Sequence, residues 1–315
     1  MDLDPSVFDP KSIDGETAEF NLQLEQMFAA QPPMNTQNPS DVRAARAQGR
    51  GFAGPIILSP NAKERTIPGP GGDITLRCFL PDKIEGVYLY IHGGGWVLGA
   101  ADAQDPRLEE VSNNCNVAVL SVEYRLAPEH PYPAGPDDCE AAALWLAKNA
   151  MAEYGTDKLL IGGGSAGAHL ALVALLRLRD RHGISNAYRA ADLLFGVYDV
   201  DGTPSVRNWG DRVLVLSRPI MEWFGDHFVP ADKRKDPDVS PIYADLTGMP
   251  PALFTVGTMD PLLDDTLFMH QRWLAAGNEA ELGVYPGGTH GFTGFNTALG
   301  KKARQAQDAF LKKHL

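Results

Sequence analysis

Nowhere does this chain run apolar for the ~20 residues that a membrane-crossing helix requires, which argues against a helical span. Cysteine is scarce. The three that occur, Cys78, Cys115 and Cys139, are widely spaced, odd in number and without a CxxC pair. That pattern argues against a disulfide framework and against a zinc site, and reduced, partly buried thiols are the expectation, with no metal and no cofactor. Positive charge is also short: 28 Lys and Arg against 40 Asp and Glu leave a formal charge of −12. Such a surface repels phosphate backbones and anionic headgroups, so nucleic acid and membrane surfaces are not expected partners. The opening Met1-Asp2-Leu3-Asp4-Pro5 is acidic, with no basic stretch leading into an apolar one. A cytoplasmic protein without a secretory leader is therefore expected.

What remains is an ordinary globular composition, 44% hydrophobic and 22% charged over 315 residues. That length suits one large α/β domain with an insertion. Residues 1–50 read as helical pieces broken by Pro32, Pro33 and Pro39, and the passage Gly51–Gly72 reads as a boundary. Strands are expected at 73–80, 86–91, 116–123, 158–161, 191–197, 251–257 and 281–285. Helices are expected at 135–154, 165–181, 262–276 and 297–313. Apolar strands alternating with helices imply a mainly parallel sheet covered on both faces. Between 199 and 246 the strand rhythm stops, and a helical stretch at 216–228 stands in its place. The division is thus an N-terminal cap segment, 1–50, and one α/β domain, 51–315, with a cap insertion at about 200–246.

The chemistry concentrates at four places. Gly163-Gly164-Ser165-Ala166-Gly167 sets a serine between near glycines, after a strand and opening a helix, which is the nucleophile-elbow arrangement. Small neighbours let strand and helix approach while the Oγ projects above the strand ends. His92-Gly93-Gly94-Gly95-Trp96 follows another strand, and its glycines allow backbone amides to face a cavity where an oxyanion would form. Ala166, next after the serine, would supply the companion amide; which of Gly93, Gly94 and Gly95 donate stays open. His92 reads as a brace.

The order serine, acid, histidine selects His290 as base, in Gly287-Gly288-Thr289-His290-Gly291-Phe292. His92 and His130 precede the serine, and His169 and His182 follow it too closely to leave room for an acid. Asp260, just past the strand at 251–257, reads as the acid that orients the imidazole. Asp264 and Asp265 are its rivals, at the start of the next helix.

Together these pieces resemble the hormone-sensitive-lipase-like family of bacterial esterases. Tyr124-Arg125-Leu126-Ala127-Pro128-Glu129, Asp260-Pro261-Leu262-Leu263-Asp264-Asp265 and His290-Gly291-Phe292 join the glycine motif and the elbow in family order over about residues 60–315. The resemblance implies an α/β-hydrolase catalytic domain at 51–315, oxyanion donors at Gly93 and Gly94 with Ala166, and a cap over a small-molecule ester substrate. It further implies hydrolysis of short- to medium-chain acyl esters without a cofactor, and a homodimer through edge strand 281–285. In one respect the chain departs: Gly164 stands where the family usually carries an acidic residue or threonine. The Tyr124–Glu129 motif reads as a structural brace. Trp96, Trp223, Phe224 and Phe228 are candidates for the substrate-pocket wall, with ordinary cap packing an equal reading for the last three. A lactone, amide or thioester hydrolase, or a small-molecule receptor on the same fold, stays open at this stage.

Overall fold

A computed structural model describes residues 4–50 and 54–315. The start of the chain, Met1–Leu3, and the boundary placed at residue 51 lie outside those residues.

Eight strands form one twisted sheet: β1 (Lys63–Gly69), β2 (Gly72–Phe79), β3 (Gly86–Ile91), β4 (Val117–Glu123), β5 (Leu159–Gly164), β6 (Tyr188–Leu194), β7 (Ala252–Met259) and β8 (Ala280–Thr289). Their order is β1-β2-β4-β3-β5-β6-β7-β8. Only the β1–β2 and β2–β4 pairs are antiparallel. Alternation along a strand sends successive side chains to opposite faces. In β3, Val87, Leu89 and Ile91 enter the larger core, while Tyr88 and Tyr90 enter the smaller one. Helices α4 (Ala134–Tyr154), α5 (Ala166–His182) and α8 (Leu263–Ala275) cover the first face. The second face is covered by α3 (Asp105–Cys115) and α9 (Ala298–Lys313). The α/β-hydrolase architecture expected from the sequence is present.

Several elements differ from the expectation: β5 and β8 run on to Gly164 and Thr289, and three others depart as well. Strand β1 falls inside the passage read as a boundary. Of its residues only Ile67 is buried, so it carries no apolar alternation. It is an edge strand, where Pro68 costs no inner ladder bond. Helix α3 was not foreseen, because its polar sequence buries one narrow stripe, chiefly Leu108, Val111 and Cys115. Strand β6 spans Tyr188–Leu194, so Phe195, Gly196 and Val197 lie beyond it, in the loop at the sheet's carboxyl edge.

Helices α6 (Pro204–Trp209) and α7 (Arg218–Phe228) lie in the interval that lacks strands. The N-terminal α1 (Gly15–Ala29) reaches the same region. Its Leu24 and Phe20 pack with Leu214 and Val215, and Glu25 pairs with Arg212 at 2.7 Å. Asn21 of α1 also donates to the Gly287 carbonyl at 2.8 Å. The N-terminal α2 (Pro39–Ala47) docks through buried Val42.

Beneath the sheet, Tyr88 Oη donates to Asp192 Oδ2 at 2.9 Å, and the Gln307 amide donates to the same oxygen. Burial pushes Asp192 up to about 6. The protonated form is thus favoured by folding, a contribution present below the unfolded carboxyl range and lost as pH rises through 6. Relative to Asp192→Asn, the wild-type protein is expected to lose about 2 kcal/mol of stability between pH 4 and 7. Paired urea titrations at several pH values measure this. A difference that does not change with pH would mean the carboxyl titrates normally.

Candidate active site

Parallel pairing brings the motifs together. Ile91 lies opposite Gly163, and Met259 opposite Thr289. As these paired strands leave the sheet, His92 emerges beside the elbow and Asp260 beside His290. Four positions distant in sequence thus meet at one edge of the sheet.

At the elbow, Ser165 adopts φ 57° and ψ −124°, a strained conformation for a residue with a Cβ. Its amide donates to the Leu194 carbonyl at 2.9 Å, which holds the turn closed. The flanking glycines are required by contact. A Cβ on Gly167 would sit 2.0 Å from the Ile91 carbonyl oxygen, and one on Gly163 2.3 Å from the same atom. A Cβ on Gly164, the departure noted in the motif, would sit 3.1 Å from the Phe195 ring. That ring in turn stands edge-on to the His290 imidazole, with centroids 5.0 Å apart. A side chain at position 164 would press on the ring that packs His290.

The three chemical groups form one hydrogen-bonded line. His290 Nε2 lies 2.9 Å from Ser165 Oγ, and His290 Nδ1 lies 2.9 Å from Asp260 Oδ2. Asp260 is 1% exposed and His290 7%. With Nδ1–H donating to the carboxylate, Nε2 is left as acceptor for the serine hydroxyl. Asp260 Oδ1 accepts from the Leu262 amide at 2.9 Å, fixing the carboxyl plane. The rivals face elsewhere. Asp264 accepts from the Ser205 amide at 2.8 Å. Asp265 accepts from the Tyr198 and Asp199 amides at 2.7 and 2.9 Å and from Thr203 Oγ1 at 2.6 Å. Both tie α8 to the 198–205 loop. Burial pushes Asp265 up to about 7.

The glycine loop lies against the serine. A Cβ on Gly93 would fall 3.3 Å from Ser165 Cβ. Gly94, Gly95 and Trp96 have φ of 121°, 61° and 63°, and a Cβ on Gly94 would strike the Leu98 carbonyl oxygen at 2.1 Å. Among the described residues, the amides of Gly93, Gly94, Gly95 and Ala166 meet no hydrogen-bond acceptor. Free amides beside a serine Oγ are what an oxyanion needs.

His92 braces this loop, as expected. Its Nδ1–H donates to the Gly93 carbonyl at 2.8 Å, its ring stacks on Tyr124 at 4.2 Å, and Tyr124 Oη donates to the His92 carbonyl at 2.9 Å. Burial pushes His92 down to about 4, so it stays neutral. The rest of the Tyr124–Glu129 motif also reaches this loop, with the Ala127 amide donating to the Trp96 carbonyl at 2.9 Å.

The four aromatic positions separate. Trp96 lines a cavity of about 400 Å³, bounded otherwise by Val197, the 199–202 loop, faces of α6 and α7, and Arg234. Trp96, Val197 and Val206 form a buried apolar floor. Ion pairs Arg207–Asp201 (2.8 Å) and Arg218–Glu222 (2.7 Å) stand on its rim. Phe224 covers the Cα of Gly95. Phe228 is buried behind Trp96, stacked at 4.4 Å, and supports that ring. Half-buried Trp223 packs on Phe224 and His227. None of these three is among the residues that line the cavity.

Sequence reasoning missed three contributors. Phe195 carries φ 38° and packs His290, but it looked like part of a strand. His169 accepts from the Trp96 indole at 3.0 Å on Nδ1 and donates from Nε2 to the Val239 carbonyl at 2.8 Å. Set aside as a base, it gave no other signal than a histidine on an apolar helix. Arg43, in the N-terminal segment, reaches the glycine loop.

Residues 88–294 match the family described as alpha/beta hydrolase fold. Carboxylesterase NlhH of Mycobacterium tuberculosis is 34% identical over 276 residues, covering 84% of this chain and 86% of that protein. Carboxylic ester hydrolase LipN of the same species is 33% identical over 301 residues, covering 89% and 78%. Among solved structures, the thermostable esterase of Pseudomonas putida ECU1011 superposes with a TM-score of 0.85 at 27% identity, covering 100% of this chain and 99% of that one. An esterase of Pyrobaculum calidifontis gives 0.82 at 30% identity, covering 92% and 97%. This chain therefore belongs to the hormone-sensitive-lipase-like branch of the α/β-hydrolase family and is a carboxylic-ester hydrolase.

Proposed function

We propose that this hydrolase cleaves short- to medium-chain acyl esters, with Ser165 as nucleophile, His290 as general base and Asp260 as its orienting acid. The carrying observation is the unbroken line of two 2.9 Å hydrogen bonds from Asp260 through His290 to Ser165, beside unbonded amides. His290 Nε2 takes the hydroxyl proton as Ser165 Oγ bonds to the ester carbonyl carbon, whose π pair moves onto oxygen. The amides of Gly93, Gly94 and Ala166 receive that charge. Collapse expels the alkoxide, which takes the proton from His290. Water, deprotonated by the same imidazole, then releases the acid and restores the serine. The α1–α2 segment and the 199–246 segment act as the cap.

The cavity beside Trp96, which neither Ser165 nor His290 lines, supports the chain-length limit. Its floor suits a few methylenes, each worth ~0.8 kcal/mol when buried. A longer chain would have to cover the ionic rim of Arg207, Asp201, Arg218 and Glu222, at a desolvation cost. For pairing in solution, we propose the outer edge of β8, the last strand of the sheet.

A series of p-nitrophenyl esters from acetate through palmitate tests the substrate range. The expected profile peaks at or below the medium chains and falls steeply beyond octanoate; a maximum at palmitate would overturn it. Labelling with a fluorophosphonate probe tests the nucleophile: stoichiometric modification mapped to Ser165 is expected. A folded protein left unlabelled would fit a small-molecule receptor instead.

A further inference from the structure

The carbonyls that shape the glycine loop are held from an unexpected direction. Arg43 lies on α2, 54 residues before Val97 in sequence. One of its nitrogens, Nη1, donates to the Val97 carbonyl at 2.8 Å and to the Ala127 carbonyl at 3.2 Å. Its other nitrogen, Nη2, pairs with Glu129. The Ala127 amide, in turn, donates to the Trp96 carbonyl at 2.9 Å. A single guanidinium fork thus joins the loop to the Tyr124–Glu129 motif, and consecutive loop carbonyls, Trp96 and Val97, are tied at once.

This matters because of what the loop is. Gly94, Gly95 and Trp96 all lie in the left-handed region, and Trp96 does so with a side chain. Such a conformation persists only where its surroundings over-determine it. From within, the Val97 and Leu98 amides bond the Gly94 carbonyl at 3.2 and 2.8 Å. From α5, His169 fixes the Trp96 indole. Arg43 supplies the third restraint, on the outer side, and its side chain is only 25% exposed.

We propose that Arg43 is a positioning residue for the reaction: it holds the glycine loop so that the Gly93 and Gly94 amides converge on the developing oxyanion. The proposal rests on the reading of Ser165 and those amides given above. It makes the N-terminal segment a determinant of the chemical step as well as a cover for substrate. A lysine cannot replace the fork, because one ammonium on a flexible stem cannot bridge Val97, Ala127 and Glu129 in fixed geometry.

The test compares Arg43→Met and Arg43→Lys with wild type in kcat, KM and affinity for a trifluoromethyl ketone. That probe adds Ser165 Oγ to its carbonyl carbon, with the hydroxyl proton passing to His290 and the negative charge resting on the ketone oxygen. It therefore reports oxyanion binding without turnover. Both variants are expected to lose about tenfold or more in kcat, with KM within about twofold and ketone affinity weakened by the same factor as kcat. A merely structural arginine would lower the melting temperature and leave kcat and ketone affinity at wild-type values, and that result would overturn the proposal. A rise in KM alone would overturn it too. Should Arg43→Met fail to fold, Arg43→Lys, which retains charge beside Glu129, decides the matter by the same criteria. If wild type itself forms no ketone adduct, the serine reading fails; if wild type reacts and both variants match it, only the role of Arg43 fails.

Discussion

Ser165→Ala is expected to abolish measurable turnover of a short p-nitrophenyl ester, a fall on the order of 10⁶ in kcat. The expectation rests on position as much as on chemistry. Among the described residues, Ser165 Oγ is the one hydroxyl within hydrogen-bonding distance of His290 Nε2, at 2.9 Å. Without it, His290 could still activate water, but no acyl-enzyme would form and the oxyanion amides would serve a weaker attack. Folding should survive. Removing the Oγ deletes no other bond of the turn, because the Ser165 amide still donates to the Leu194 carbonyl and the φ of 57° is no worse for alanine. Circular dichroism and a melting curve near wild type, measured beside the lost rate, complete the test. Turnover within tenfold of wild type would remove Ser165 from the mechanism.

The site was legible in the sequence wherever chemistry demands a particular residue type in a particular local shape. Two glycines flank the elbow because the backbone of β3 leaves no room for a Cβ, and a local motif betrays that requirement. Strands β3, β4, β5 and β7 declared themselves as apolar runs because both of their faces are buried. Strand β1 did not, since a half-exposed edge strand needs no pattern beyond one buried isoleucine. Helix α3 stayed silent for the same reason. What no local reading could find are the contacts between segments far apart in sequence: Arg43 on the glycine loop, His169 on the Trp96 indole, and Phe195 against His290. Each is a residue whose type is unremarkable by itself. Its partner is fixed only by how distant helices, loops and strands pack together.

Three aspartates within six residues offer the sharper discrimination. Asp260→Asn is expected to lower kcat by a factor on the order of 10⁴ while the fold is kept. An amide at this position can still meet His290 Nδ1, but as a donor. The imidazole would then carry its proton on Nε2, pointing at Ser165 Oγ, and no base would face the hydroxyl. Asp264→Asn should change kcat by no more than a few-fold, because an asparagine oxygen still accepts from the Ser205 amide and nothing at that site touches His290. Asp265→Asn should also retain turnover. Its oxygen can keep the Tyr198 and Asp199 amides, and the Thr203 hydroxyl can rotate to accept from the new amide group. Any loss there should appear in the melting temperature, since the 198–205 loop hangs on this carboxyl. Kinetics of the three variants at a single pH separate the roles. A larger rate loss in Asp264→Asn or Asp265→Asn than in Asp260→Asn would move the acid away from the strand end where β7 and β8 leave the sheet side by side.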